Sequence, residues 1–586
     1  MRILLLASGF NVLTQRVWDE LRTRDHHVAV TIYDDPAGVI AAADAVQPDL
    51  VLCSYLKQRV PAEVWGRWRT VIIHPGPIGD QGPSSLDHAI LDDEPVWGTT
   101  ALQAVEELDG GPIWASRTFA MPTEPPRKSA LYSGPVTAAA VSCALEVVEL
   151  AADPSFEPTP LAVAHRPVAG TRHRGLLRQA QRRFDWADDA VDIVRRIRAA
   201  DGFPGIRTVL ADQEVSVFDA RSGIGVGAPG EIIGRHHGHL LVAAGRGAVW
   251  IGQLKQVGGR KLPATAVLPV DVPDVPDGPS DVCYRRSGPV GEVAFTFYNG
   301  AVGIEHCRRL EAAIRFAASQ DTRVLVLRSG PDVFCNGIHL GEIDAAPDPA
   351  AAAWRNVLAV NSCCRALIEV EDQITIAAVA GSAAAGGFML ALGADVVLGR
   401  AGVMLNPYYD IGLFGSELHT LTLPHRVGRE GAEILLSAKL PISTDRAADI
   451  GLIDMVGPAD PADFDGWVPG VASRYTDPAA WRGILRSRVP AARALDYCET
   501  RELAEMARDF YDDRSGFAAC RRAFIERRPR ASGLLIAGDR TDYDDFLNGN
   551  SLRRLWGLSL PTTTSDPRRV GTLRVLAQAD PPHWST

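Results

Sequence analysis

The stretch IIHPGPIGDQGPSSLDHAI at residues 72–90 ends an apolar run with a histidine and opens into a glycine-rich loop. Three shorter apolar runs precede it, at residues 2–8, 28–34 and 49–55, and helical patterns separate them. Short apolar runs that alternate with helices are typical of a parallel sheet with crossover helices. The sequence therefore predicts an α/β domain with a doubly wound sheet over residues 1–155.

Two polar residues lie where such a sheet binds ligands, beyond the carboxyl ends of its strands. His74 follows the run TVII, and Asp109 lies in the turn LDGG. Taken alone, His74 is explained as a residue that caps a loop, and Asp109 as a turn residue before two glycines. Together they suit transfer of a formyl group, in which an oxyanion must be held and protons exchanged. We predict His74 and Asp109 as catalytic residues.

A second pair of glycine-marked stretches follows, FCNGIHL at 334–340 and GSAAAGGFML at 381–390. With the apolar runs around them, they resemble the crotonases over residues 285–530. In that family a glycine turn and a glycine-rich helix start donate two backbone N–H groups to a thioester oxygen. The resemblance implies Ile338 and Gly386 as the donors. The alternative is that these glycines only allow the backbone to turn.

Composition limits the possible functions of the chain. Its 586 residues predict several domains, and 46% hydrophobic with 22% charged residues is ordinary for a globular protein. The net charge of -11 argues against nucleic acid as a partner. Nine cysteines without a CxxC pair favour a reducing cytoplasm and no metal site. The apolar start is too short for a secretory signal, and no span across a membrane is predicted.

The rest of the chain divides by composition. Residues 180–268 predict a helix followed by a small β-barrel module, and the Pro- and Asp-rich residues 269–284 predict a linker. Residues 285–530 predict a crotonase-like α/β spiral domain. To the tail at 531–586 we assign no role.

The first half resembles the folate-dependent formyltransferases, through the His-Pro after a strand and the LDGG turn. Residues 180–265 resemble their carboxyl-terminal barrel, for example in IRAADGFPG and GQLKQVGGRKLPA. The resemblance implies 10-formyltetrahydrofolate as formyl donor. One departure is Ile72, where those enzymes usually have asparagine. Residues that would border the pterin, or simply form connecting loops, are Tyr55, Leu56, Lys57, Glu106 and Glu107.

The crotonase-like pocket departs from that of a hydratase. Met389 and Tyr408 stand where a hydratase would place its two glutamates, which argues against hydration of an alkene. The polar candidates are Tyr408, Tyr409 and Glu417. A desolvated Glu417 would have a raised pKa suited to proton transfer. The alternatives are a first-turn carboxylate for Glu417 and core packing for the tyrosines.

The order of these stretches, with FYNGAVGIEHCRRL, LNPYY and GLFGSE, resembles one family over about residues 1–530: the HypX (HoxX) nickel-iron hydrogenase maturation factors. The resemblance implies formyl transfer from 10-formyltetrahydrofolate to coenzyme A, then decarbonylation of formyl-CoA by Tyr409 and Glu417. The carbon monoxide would become an iron ligand of the hydrogenase, with other maturation proteins as possible partners. The segment DIGLF and the Leu-His-Thr after Glu417 depart from the family pattern.

Three hypotheses stay open from the sequence. An internal channel between the two sites would protect formyl-CoA, which hydrolyses readily. A formyltransferase for an amine acceptor, with a crotonase-like half that binds CoA or serves as structure, is the alternative enzyme. A noncatalytic carrier or assembly partner is the third.

Overall fold

The computed structural model describes residues 1–487, 492–528, 533–534 and 541–547. Residues 1–540 form one compact unit, and residues 541–586 form a second, in which the helix Thr541–Leu547 is described. The nine cysteines are free. Cytoplasmic location and the limits of the domains within residues 1–540 stay predictions.

The first sheet is built on four parallel strands. Its strands are β1 (Arg2–Ala7), β2 (His27–Ile32), β3 (Leu50–Tyr55), β4 (Thr70–His74), β5 (Val96–Gln103) and β6 (Ile113–Ala120). The helices are α1 (Val12–Arg22), α2 (Pro36–Val46), α3 (Ala62–Trp65), α4 (Ser85–Leu91), α5 (Lys128–Leu131) and α6 (Thr137–Ala151), with a π-helical turn at Tyr132–Val136. The order is β2-β1-β3-β4-β5-β6, and β5 pairs antiparallel with both of its neighbours, β4 and β6. The predicted α/β sheet is confirmed.

A short strand at Gly533–Leu534 pairs antiparallel with β2 and extends this sheet. It lies in the segment that the sequence left as a tail without a role. Helices form where local signals favour them: Asn11 caps α1 through the Thr14 N–H, and Asp35 caps α2, which begins at Pro36. Leu4 and Leu6 of β1 are fully buried, so the sheet carries the core of this half.

A second, antiparallel sheet follows. Its strands are β7 (Ile206–Leu210), β8 (Gln213–Gly223), β9 (Ile232–His236), β10 (His239–Ala243), β11 (Ala248–Gln256) and β12 (Lys261–Pro263), and its helices are α7 (Gln179–Arg182), α8 (Ala190–Ala199) and α9 (Ala264–Val267). Ile193 and Ile197 of α8 pack in its core. The pairing order β7-β8-β11-β10-β9 is open, with β12 beside β11, so closure into a barrel is not confirmed.

The last half contains two interleaved sheets. The strands are β13 (Val282–Ser287), β14 (Val290–Phe295), β15 (Val324–Ser329), β16 (Val333–Cys335), β17 (Ile374–Val379), β18 (Ser382–Ala384), β19 (Val396–Arg400), β20 (Met404–Asn406), β21 (Ile442–Ser443) and β22 (Met455–Gly457). The helices are α10 (Ile304–Ala318), α11 (Leu340–Ala345), α12 (Pro349–Ile368), α13 (Gly386–Leu392), α14 (His419–Ala438), α15 (Thr444–Asp449), α16 (Pro461–Arg474), α17 (Pro478–Ser487), α18 (Ala492–Tyr511) and α19 (Phe517–Ile525), with a 3₁₀ turn at Tyr298–Gly300.

From β15 onward the chain passes back and forth between these sheets. One sheet has the order β13-β14-β15-β17-β19-β22 and the other β16-β18-β20-β21. This alternation produces the predicted α/β spiral. Because β16 and β18 are parallel neighbours, the turns that follow them meet at one edge. The two glycine-marked stretches are thereby brought together.

One helical segment, Lys128–Ala151, is long and apolar enough to cross a membrane by length and composition alone. It comprises α5, the π-helical turn and α6. In this structure α6 packs on β5, β6 and α1, as the core helix of a globular protein does. Because it packs in this way, the segment is only weak evidence for a helix that spans a membrane.

Two candidate active sites

The first site forms where β4 ends. His74 is the last residue of β4 and is buried, and its Nδ1 lies 3.5 Å from Oδ2 of Asp109. Asp109 has a left-handed backbone (φ 54°), and the same Oδ2 accepts the N–H of Gly82 at 3.0 Å. The structure thus brings together the two residues that the sequence selected.

A third residue, Asp80, completes this site and was missed by the sequence reasoning. Its Oδ2 lies 3.0 Å from Nε2 of His74, and its Oδ1 lies 3.1 Å from Nη2 of Arg174. A Cβ built on Gly76 would lie 2.3 Å from Oδ2 of Asp80 and 2.5 Å from Nε2 of His74. Only glycine at that position leaves room for the pair. Ile72 packs against the apolar core of the sheet and adds no polar group.

The two carboxylates change the charge state of the ring. Burial by itself lowers the pKa of His74, but the hydrogen bond to Asp80 and the charges of Asp109 and Asp80 outweigh burial, so the pKa of His74 is raised. Burial raises the pKa of Asp80, but the His74 bond and further hydrogen bonds, including one from Arg174, bring it below its ordinary value. The site therefore favours an imidazolium beside the ionised carboxylate of Asp80.

The predicted folate residues lie in two loops that meet. Lys57 donates its backbone N–H to Oγ of Ser8 at 2.8 Å, and its Nζ lies 5.4 Å from the centre of the Tyr55 ring. Arg59 contacts the carbonyl of Glu106 at 3.5 Å, which ties the loop after β3 to the loop before Asp109. The remaining predicted residues of these loops are Leu56 and Glu107. Their contact with a pterin stays a prediction.

The second site contains a buried tyrosine and glutamate pair. The hydroxyl of Tyr409 donates to Oε2 of Glu417 at 2.7 Å and lies 2.9 Å from the carbonyl of Ser416. Tyr408 instead donates to Oδ1 of Asn406 at 3.1 Å. Of the two candidate tyrosines, the structure therefore brings only Tyr409 to the glutamate.

The free oxygen of this glutamate faces the predicted thioester site. No hydrogen bond to Oε1 of Glu417 is found among the residues that the structure describes. A Cβ built on Gly386 would lie 2.3 Å from that oxygen. In the same described part of the chain, neither the N–H of Ile338 nor that of Gly386, at the start of α13, donates a hydrogen bond. The carboxylate therefore lies against Gly386, and a Cβ built on Gly337, the residue before Ile338, would lie 3.5 Å from the Gly386 nitrogen.

The turn that carries Glu417 is held by two residues that no sequence motif indicated. Glu417 and Leu418 both adopt left-handed backbone (φ 61° and 59°), which is unfavourable for residues other than glycine. Asn361 of α12 accepts the N–H of Glu417 at 2.9 Å. Glu502 of α18 accepts the N–H of Leu418 at 2.9 Å and that of Thr420 at 2.7 Å. The unusual Leu-His-Thr continuation is therefore fastened to α18.

Burial decides the ionisation of this pair. It raises the pKa of Glu417, although the hydrogen bonds from Tyr409 and from the Ser416 N–H oppose it. The pKa of Tyr409 is raised well above its ordinary value, by burial first and then by the charge of Glu417. Burial also raises the pKa of Glu502 to about 7 and lowers that of His419 to about 4. The arrangement suits a glutamate with a raised pKa that exchanges a proton, with a neutral tyrosine beside it.

Gly386→Ala is expected to reduce the chemistry of the second site roughly 10²-fold and to leave that of the first unchanged. The added methyl displaces the Glu417 carboxylate, and misplacement by about 1 Å can cost roughly 10²-fold in rate. Rates at each site measured separately check this. Gly466→Ala in α16 is the matched control, because its Cβ meets nothing within 4 Å. Equal rates for both variants would contradict the prediction.

Comparison with known proteins agrees with this two-site architecture. The enoyl-CoA hydratase/isomerase family model matches residues 308–475, and that of the formyl transferase C-terminal domain matches 176–269. Hydrogenase maturation factor HoxX of Bradyrhizobium diazoefficiens is 38% identical over 92% of this chain and 97% of its own. The chain belongs to the HypX/HoxX family.

The crystal structure of HypX from Aquifex aeolicus in complex with tetrahydrofolic acid is similar in fold, with a TM-score of 0.86. It is 34% identical and covers 91% of this chain and 97% of its own. A methionyl-tRNA formyltransferase of Dechloromonas aromatica is 26% identical over 32% of this chain and 58% of its own. The HypX-family chain therefore joins a formyltransferase half to a crotonase-like half, as its sequence predicts.

Proposed function

We propose that this HypX-family enzyme transfers a formyl group from 10-formyltetrahydrofolate to coenzyme A and then releases carbon monoxide from formyl-CoA. Both molecules are substrates of the reaction. The observation that carries the proposal is the buried Glu417, whose Oε2 accepts the Tyr409 hydroxyl and whose Oε1 lies against Gly386 at the start of α13, in a crotonase fold. We further propose that the carbon monoxide supplies an iron ligand during nickel-iron hydrogenase maturation, with maturation proteins as partners.

In the first step, the CoA sulfur attacks the formyl carbon, and the bond from that carbon to N10 of the folate breaks. A thiol has a pKa near 8.5, so loss of its proton needs a base, and the leaving nitrogen needs a proton. Asp109 accepts the thiol proton, and His74 donates to the leaving nitrogen. The 3.5 Å between Oδ2 of Asp109 and Nδ1 of His74 lets the proton return.

In the second step, formyl-CoA loses the proton on its formyl carbon, and its carbon–sulfur bond breaks to give carbon monoxide and the CoA thiol. Glu417 accepts the proton through Oε1, while Tyr409 donates a proton to the leaving sulfur. Rotation of the protonated Glu417 carboxyl then brings this proton to Tyr409, whose oxygen lies 2.7 Å from the carboxyl group, and so restores both residues. The N–H groups of Ile338 and Gly386 hold the thioester oxygen.

A haemoglobin trap for carbon monoxide tests the proposal with purified protein, 10-formyltetrahydrofolate and CoA. We expect trapped gas and loss of formylfolate, both dependent on CoA. Loss of formylfolate with formylation of an added amine, and no gas, would favour the amine acceptor instead. Neither change would favour a noncatalytic carrier. Failure of added formyl-CoA hydrolase to lower the gas yield would favour internal transfer between the sites.

Tyr409→Phe is expected to slow carbon monoxide release from formyl-CoA by roughly 10²–10⁴-fold, the usual contribution of a positioned acid. The variant keeps the ring and loses only the hydroxyl that bonds Glu417. Tyr408→Phe removes a hydroxyl that bonds Asn406, so we expect a smaller effect. The haemoglobin assay with formyl-CoA as substrate measures both. A larger loss in Tyr408→Phe would reverse the assignment of the two tyrosines.

A further inference from the structure

We propose that Asp80 is a positioning residue for formyl transfer, which acts through His74 by holding its ring between two carboxylates. This inference rests on the proposed function of the first site. It adds a residue outside the pair His74 and Asp109. It also assigns the histidine one role, that of a cation that donates a proton.

A carboxylate lies beside each of the two ring nitrogens of His74. Nε2 of His74 lies 3.0 Å from Oδ2 of Asp80, and Nδ1 lies 3.5 Å from Oδ2 of Asp109. The three side chains are 5%, 1% and 9% exposed, so water screens these charges little. A neutral imidazole has one N–H and could donate to only one carboxylate. The doubly protonated ring satisfies both.

The position of Asp80 is itself secured. Arg174 contacts Oδ1 of Asp80 at 3.1 Å and Oδ2 of Asp92 at 2.7 Å. Arg174 thus holds Asp80 from the side away from the ring and leaves Oδ2 to His74. Among the described residues, the charged groups that face His74 are Asp80 and Asp109, with Arg174 behind the former. Two negative charges against one more distant positive charge favour the imidazolium.

A cationic His74 supplies a donor for the oxyanion, which the apolar side chain of Ile72 cannot provide. No side-chain amide stands at that position, so the developing oxyanion needs another donor. The imidazolium offers a full positive charge there. Its Nε2–H stays on Asp80, and its Nδ1–H, which makes only a 3.5 Å contact with Asp109, is the proton that N10 takes up as the carbon–nitrogen bond breaks. The thiol proton taken up by Asp109 then restores the cation. No proton is gained or lost over the cycle.

Asp80→Asn tests this inference through the pH dependence of CoA-dependent loss of formylfolate. Asparagine keeps the shape and an acceptor oxygen but loses the charge. The raised pKa of His74 means that the active, protonated ring is lost as pH rises through that value. Asp80→Asn lowers this pKa, so we expect the alkaline limb of the profile to move at least one pH unit lower. Above the pKa of His74, the rate of formylfolate loss should fall about tenfold for each pH unit. The variant should therefore differ from the unchanged protein first at alkaline pH.

Asp92→Asn is the matched control, since it removes the other carboxylate on Arg174 without touching His74. We expect its alkaline limb to coincide with that of the unchanged protein. An Asp80→Asn profile that falls uniformly at every pH, without a shift of the limb, would show a merely structural role and overturn the proposal. An equal shift in Asp92→Asn would do the same, because the effect would then belong to Arg174.

A direct titration keeps the inference testable if Asp80→Asn does not fold. Imidazole NMR signals of the full chain, with the His74 signal assigned by its disappearance in His74→Gln, give the pKa of the ring. We expect a value above the ordinary 6.5. A value below 6.5 would overturn the proposal. This measurement needs no acceptor for the formyl group, so its outcome is independent of whether CoA proves to be the substrate.

Discussion

Glu417→Gln is expected to slow the proposed release of carbon monoxide severely, while 10-formyltetrahydrofolate is still consumed in the presence of CoA. Glutamine fills the same volume and still accepts the hydroxyl of Tyr409, but it cannot take a proton from the formyl carbon. Loss of a positioned base costs roughly 10²–10⁴-fold in rate. Haemoglobin trapping and folate absorbance, recorded on the same sample, measure the two halves of the reaction.

Glu430→Gln is the control for this variant, because Glu430 is exposed on α14, the helix that follows Glu417. It should release carbon monoxide at the unchanged rate. Continued gas release by Glu417→Gln would remove Glu417 from the mechanism and shift the role of base elsewhere. A parallel loss of folate turnover would instead indicate that the two halves depend on each other structurally.

The pH dependence of the second half follows from the same carboxyl group. Burial raises the pKa of Glu417 because it penalises the charged form. The base acts only when it is deprotonated, so the rate from formyl-CoA should rise with pH through this raised value. The first half, which depends on a protonated His74, should lose activity as pH rises. We therefore expect the rates of the two half-reactions to change with pH in opposite directions.

His74→Gln is expected to remove CoA-dependent turnover of formylfolate, again by roughly 10²–10⁴-fold. The variant loses both the proton for the leaving nitrogen and the positive charge between Asp80 and Asp109. Gas release from 10-formyltetrahydrofolate should stop with it. Gas release from formyl-CoA supplied directly should continue, because that substrate bypasses the first site.

His88→Gln provides the comparison, since His88 lies in the same stretch at 72–90 and its Nε2 lies 3.4 Å from the Gly175 carbonyl. Its folate turnover should be close to that of the unchanged protein. If directly supplied formyl-CoA fails to restore gas release in His74→Gln, the substitution has disturbed more than the first site. If folate turnover survives in His74→Gln, the assignment of the histidine is wrong.

The sequence predicted those features that depend on local pattern. His74 and Asp109 follow recognisable stretches, and the turns of Ile338 and Gly386 are marked by glycines beside strands. Alternating apolar runs and helices likewise predict the α/β architecture. Closure of the second sheet could not be predicted in this way, because it depends on whether the outermost strands β7 and β9 pair.

The partners of the catalytic side chains depend on tertiary packing. Asp80 lies in the stretch at residues 72–90, but no local pattern indicates that the loop after His74 returns its side chain to the ring beside Gly76. Asn361 is 56 positions from Glu417, and Glu502 is 84 positions from Leu418. Neither residue belongs to a motif. Only the packing of α12 and α18 around the turn brings them to it.

The fastening of that turn to α18 has a consequence for transplanting the reaction into other scaffolds. The segment shared with enoyl-CoA hydratases ends at residue 475, and Glu502 lies beyond it. A graft cut at that limit would carry Tyr409 and Glu417 but leave behind the carboxylate that accepts the N–H groups of Leu418, which has left-handed backbone, and of Thr420. A segment transplanted to test the proposed decarbonylation should therefore include α18, which ends at Tyr511.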